Sequence, residues 1–72
     1  MIVFQKFDDN FSDHYDMEKD SFIVYCGREG ADFKIETQTQ IKDFEGNIWN
    51  CMLWGVEYIP AMNTYELSYK AQ

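Results

Sequence analysis

The chain has 72 residues, with thirteen Asp and Glu against six Lys and Arg, a formal charge of −7, and 18% aromatic residues. A chain this short makes a single domain, 1–72, that buries only about 60% of its unfolded surface, so its rings, each able to bury ~150–250 Å², carry much of the core. The acidity argues against direct binding to nucleic acid or an anionic membrane and favours a basic partner or a cation, while the composition is globular rather than disordered.

Residues 2–7 are β-prone, with Ile2 and Phe4 on one face and Val3 and Phe7 on the other. No basic region followed by 7–15 apolar residues opens the chain, and no run approaches the ~20 apolar residues that span a bilayer. The expectation is a soluble, cytoplasmic protein and a whole small gene product without a secretory signal.

The composition then changes abruptly. Residues 8–20 hold seven charged side chains, six of them the carboxylates Asp8, Asp9, Asp13, Asp16, Glu18 and Asp20. A short helix and an acidic loop both suit this segment. Phe7, Phe11, Tyr15 and Phe22 recur near helical spacing, and Asp8 or Asp9 can cap a first turn. Glu18 and Asp20 would sit at the negative end of such a helix, opposed only by Lys19. As a helix, the segment aligns Asp9, Asp13, Asp16 and Asp20 in one stripe at i, i+4, i+7 and i+11.

Ser21–Cys26 is a compact β-prone run, and Gly27-Arg28-Glu29-Gly30 after it reads as a turn leading to a hairpin. The return strand, 32–42, alternates: Phe33, Ile35, Thr37, Thr39 and Ile41 on one face, Lys34, Glu36, Gln38, Gln40 and Lys42 on the other. Phe44-Glu45-Gly46-Asn47 supplies a tight connection.

Ile48–Ile59 is the longest apolar stretch and holds both tryptophans. As a strand it places Ile48, Asn50, Met52, Trp54, Val56 and Tyr58 on one face and Trp49, Cys51, Leu53, Gly55, Glu57 and Ile59 on the other. Both faces are largely apolar, which predicts a central strand covered on both sides, with Trp54 in the core. Pro60-Ala61-Met62-Asn63 turns the chain, and 64–70 alternates again with Tyr65, Leu67 and Tyr69 inward. The predicted fold is mainly β, with α+β as the variant. It is a small five-stranded antiparallel sheet, bent or barrel-like, with one short acidic helix or loop between strands one and two.

Catalytic and metal chemistry lack a motif. His14 has Asp13 and Asp16 beside it as orienting groups, but no nucleophile is placed with it, and it reads as a surface histidine. Asp8, Asn10 and Ser12 match the first ligand positions of a twelve-residue calcium loop. That pattern fails at Asp13, where glycine is needed, and at Lys19, where a bidentate Glu is needed. Cys26 and Cys51 lack metal or redox spacing and read as buried small hydrophobes. Trp49, Trp54, Tyr58, Tyr65 and Tyr69 are not a nucleic-acid stacking platform, because the positive groove that such a platform requires is missing. The expectation is a non-enzyme with no cofactor and no metal.

The six carboxylates are the candidate partner-binding residues. Thirteen helical residues span ~20 Å, so six carboxylates average one per about 3.3 Å, close to the ~3.4 Å charge spacing of a nucleic-acid strand. In size, acidity and lack of catalytic residues the whole chain loosely resembles phage-encoded inhibitors of host defence, including anti-CRISPR proteins and DNA mimics. That resemblance implies a decoy for the basic, nucleic-acid-binding surface of a larger protein, and it assigns no residue. The other reading is a structural or adaptor module that pairs through a strand edge or its Tyr- and Trp-rich face, with a homodimer as one form.

Overall fold

The structure, a computed structural model, describes residues 1–27 and 33–72. Eight strands run in order: β1 (Ile2–Val3), β2 (Lys6–Asp8), β3 (Phe11–Ser12), β4 (His14–Asp16), β5 (Ser21–Cys26), β6 (Gln38–Lys42), β7 (Ile48–Ile59) and β8 (Thr64–Ala71). A 3-10 turn, Pro60–Met62, separates the last two, and among the described residues there is no α-helix. Six strands form one curled sheet in the order β1-β6-β7-β8-β5-β4, and β2 and β3 form a separate ribbon.

The mainly β expectation holds, but the first expected strand, 2–7, is split into β1 of the six-stranded sheet and β2 of the separate ribbon, so six strands rather than five make the main sheet. The details differ in four ways. The sheet is mixed, because β1 pairs with β6 in parallel (Ile2↔Ile41, Val3↔Lys42). The acidic segment is neither a helix nor an irregular loop: it folds into β2, β3, β4 and their turns. Asp9, Asp13, Asp16 and Asp20 therefore do not form a stripe. Third, β5 does not form a hairpin with β6. It pairs with β4 on one side and β8 on the other, where Phe22, Val24 and Cys26 stand opposite Tyr69, Leu67 and Tyr65 and join two apolar faces. Fourth, the strand expected over 32–42 begins only at Gln38, since Thr37 N–H and its hydroxyl both bond back to the Lys34 carbonyl in a turn. The expected turn at Arg28, Glu29 and Gly30 lies outside the described residues, as does Asp32.

Opposed residues in a ladder point to the same side, so the pairings define the inner face. Phe22, Val24, Ile41, Cys51, Leu53, Leu67 and Tyr69 face inward and form the core with Phe4. Each such side chain contributes roughly 1.5–3 kcal/mol by leaving water. Phe4 is held there by its backbone N–H, which donates to the Lys42 carbonyl at 2.9 Å beyond the short β1 ladder.

The long strand β7 has β6 and β8 as neighbours, yet it is not covered on both faces. Only Cys51 and Leu53 are buried along it. Its pairing with β8 jumps from Leu53↔Tyr69 to Gly55↔Ser68, so Trp54 is the extra residue of a β-bulge. The bulge inverts the alternation: Val56 and Tyr58, opposite Leu67 and Tyr65, take the same side as Leu53. Trp54 is 41% exposed instead of in the core, with its indole N–H donating to the buried Ser21 hydroxyl at 2.9 Å. The Lys70 ammonium sits 5.1 Å from the Trp54 ring centroid.

Cys26 and Cys51 are free thiols facing inward opposite Tyr65 and Thr39; Cys51 is buried, as expected of a small hydrophobe, whereas Cys26, expected to be buried too, is only partly so.

Candidate functional site

Two hairpin turns built by the same local chemistry lie at one end of the sheet. In the β4–β5 turn, Asp16 Oδ1 accepts the backbone N–H groups of Glu18 (2.9 Å) and Lys19 (3.3 Å), and Asp20 closes the turn at φ 50°. In the β6–β7 turn, Asp43 Oδ1 accepts those of Glu45 and Asn47, each at 2.9 Å, and Gly46 closes it at φ 88°. Aspartate favours this role because its short carboxylate reaches the donors two residues on, while the closing position needs left-handed backbone that glycine and aspartate tolerate. The ladders place the end of β8 beside both turns, with Tyr69 opposite Phe22 and Ala71 opposite Cys51.

Between the turns opens a cavity of about 450 Å³, lined by Tyr15, Asp20, Phe22, Asp43, Trp49, Lys70 and Ala71. Phe22, only 5% exposed, joins this cavity to the core. Tyr15 and Trp49 flank it with ring centroids at 5.0 and 5.4 Å, tilted by 59° and 42°. Both flanking rings are tethered to carboxylates: the Tyr15 hydroxyl donates to Asp20, and the Trp49 indole N–H donates to Asp43 Oδ2 at 2.9 Å. The indole bond holds the Asp43 carboxyl below its ordinary pKa, assisted by the turn N–H groups and opposed by some desolvation. The Tyr15 phenol is pushed up, chiefly by its bond to Asp20.

The six carboxylates singled out in the sequence separate into three places. Asp8 and Asp9 occupy the tip of the β2–β3 ribbon, where Asp8 Oδ1 accepts the Asn10 N–H at 2.7 Å and Asp9 pairs with Lys6 at 3.4 Å. Asp16, Glu18 and Asp20 belong to the β4–β5 turn, and of the three Asp20 lines the cavity. Asp13 is not a surface residue. It is 2% exposed, and its carboxylate accepts Gln5 N–H (2.8 Å) and Tyr25 N–H (3.0 Å), clasping the first segment of the chain to β5. Burial raises its pKa against the pull of those two bonds and of His14.

His14 is exposed at the sheet edge, and its Nδ1–H donates to the Ser12 carbonyl at 2.9 Å. Phe7, Phe11 and Tyr25 stack near it, with centroids 4.9 Å (Phe7–Phe11) and 4.4 Å (Phe11–Tyr25) apart. Among the described residues no group of three His, Cys, Asp or Glu side chains is placed to hold a metal ion. Also among them, no helix is long and apolar enough to cross a membrane.

Sequence reasoning missed Asp43, Tyr15, Phe22 and Trp49 as one site. The available signal was the pair of Asp-led turns, each flanked by aromatic residues, but nothing local says that two turns 23 or more residues apart share an end of the sheet. Comparison with family models, curated proteins and solved structures finds no match.

Proposed function

We propose that this protein is a small, acidic, non-enzymatic binding protein of the cytoplasm. It acts as an inhibitor or decoy that occupies a basic, nucleic-acid-binding surface of a larger protein, as phage-type counter-defence proteins do. The observation that carries this reading is the concentration of carboxylates on adjacent turns: Asp16, Glu18 and Asp20 on one, Asp43 and Glu45 on the other, beside an aromatic cavity. The turns are closed by Asp16 and Asp43 bonds to their own N–H groups, which lowers the ordering cost of presenting these charges and favours affinity. A chain of charge −7 also steers toward positive surfaces. Without the helix, the regular 3.3 Å charge spacing no longer supports nucleic-acid mimicry. The support now comes from a two-turn acidic rim.

The test compares the parent with a variant carrying Asp9→Asn, Asp16→Asn, Glu18→Gln and Asp20→Asn, with Asp13 left intact because it is a folding residue. Immobilised parent should retain basic proteins at low salt and release them to added duplex DNA, and the variant should retain at least tenfold less. Near 1 M salt, where screening shortens to ~3 Å, the difference should vanish. Equal retention by parent and variant at low salt would overturn the decoy reading. The adaptor reading, favoured by Val56, Tyr58 and Met62 exposed at the opposite end of the sheet, instead requires self-association that salt leaves unchanged.

A further inference from the structure

We propose that the cavity between the β4–β5 and β6–β7 turns is a receptor for a single arginine side chain of the partner. This rests on the protein-binding reading above and gives it a chemical anchor. Three aromatic rings and two carboxylates line the space. An anion is repelled by Asp20 and Asp43, and a neutral apolar group would leave their remaining acceptor sites unfilled.

The acceptor count favours a donor-rich cation. A carboxylate offers about four lone-pair sites. Asp43 uses three, on Glu45 N–H, Asn47 N–H and the Trp49 indole, and Asp20 uses one, on the Tyr15 hydroxyl. At most about four therefore remain, about three of them on Asp20, with the Asn47 side chain also beside Asp43. A guanidinium carries five N–H donors in a planar fork and stacks on aromatic rings, whereas an ammonium is compact and strongly hydrated. The tethers to Tyr15 and Trp49 hold both the rings and the carboxylates in place before binding.

Lys70, the cation that lines the rim, directs its ammonium over Trp54. The volume of about 450 Å³ accepts a guanidinium with its aliphatic stem and falls in the ~300–1,000 Å³ range of small-molecule sites.

The test is a titration of the isotope-labelled protein with the blocked peptide acetyl-Gly-Arg-Gly-amide, with its lysine and citrulline counterparts as controls. The readout is the indole N–H resonance of Trp49, identified by its loss in Trp49→Phe, with the Trp54 indole as an internal reference. The arginine peptide should give a saturable shift at Trp49 and a much smaller one at Trp54. The citrulline peptide, similar in shape but neutral, should bind at least tenfold more weakly, and the lysine peptide severalfold more weakly. Asp20→Asn and Asp43→Asn should each weaken the arginine peptide at least threefold. Asp20→Asn carries the test if loss of the Asp43 turn unfolds the domain.

An absent or non-saturable Trp49 shift, equal binding of citrulline, or an Asp20→Asn variant that binds like the parent would overturn the assignment. Equal binding of the lysine peptide would overturn the choice of arginine. If the peptides fail while the parent still captures basic proteins in a charge-dependent way, the pocket falls and the decoy reading stands. If the peptide binds as expected but no DNA-displaceable capture occurs, the pocket stands and the decoy reading falls.

Discussion

Asp13 and Asp43 are both carboxylates bonded to backbone N–H groups, and their surroundings push them in opposite directions. Asp13 is buried, and desolvation raises its pKa from near 3.8, so the native state holds this proton more tightly than the unfolded chain does. Its contribution to stability is therefore fully present below that unfolded value and is lost as pH rises through the folded one. Asparagine there would satisfy one of the two clasped N–H groups and direct an NH₂ at the other. Asp13→Asn should cost about 1–3 kcal/mol, the penalty of a buried unpaired donor, read from denaturant unfolding. The parent's margin over this variant should narrow as pH rises above about 4, and a margin that widens would contradict the assignment. Asp43 has the opposite sign. The Trp49 indole bond lowers its pKa, so its contribution is present above the ordinary carboxylate range and is lost as pH falls through the folded value. The parent's margin over Asp43→Asn should shrink on acidification in the same melting series.

At the level of the element, the bulge in β7 decides which tryptophan and which aliphatic residues matter. Strict alternation groups Trp54 with Val56 and Tyr58. The extra residue at Trp54 breaks that group and sends the indole to the outer face, where it bonds Ser21. Leu53, 2% exposed, is the core residue of this strand. Leu53→Ala should therefore cost ~2–5 kcal/mol, enough to threaten folding in a domain this small. Trp54→Phe keeps most of the ring and loses one hydrogen bond, so about 1 kcal/mol is expected. Chemical denaturation of the two variants orders them, and a larger loss at Trp54 would place the core on the wrong side of the bulge.

For the whole molecule, the net charge of −7 acts on stability and binding with opposite signs. Self-repulsion destabilises the compact state and is screened by salt, with a Debye length of ~30 Å at 0.01 M and ~8 Å at 0.15 M. The melting temperature should rise between those two ionic strengths while capture of basic proteins weakens. Only two ion pairs, Lys6–Asp9 and Lys19–Glu66, are present among the described residues, and exposed pairs contribute little. A melting temperature that falls with added salt would mean that attraction outweighs repulsion in the native charge pattern.

Period-two patterning and turn chemistry are properties of neighbouring residues, and the chain displays them openly. They determined the β class, the bounds of Ser21–Cys26 and Ile48–Ile59, the Asn47 and Pro60 turns, and the inward set Tyr65, Leu67 and Tyr69. Strand partners are decided by which apolar faces close a common core, and that depends on every strand at once. Tertiary structure alone therefore paired β5 with β8, set β1 parallel to β6 and placed the bulge at Trp54. It also decided the fate of 8–20. Helical spacing of four aromatics competed with Asp-led turns, and the turns won because Tyr15 and Phe22 pack against each other across a ladder while Asp13 ties the first segment of the chain to β5. The same physics separated six adjacent carboxylates and brought Asp20 to the cavity that Asp43 lines: sequence determines charge, but only the closed sheet determines which charges share a space.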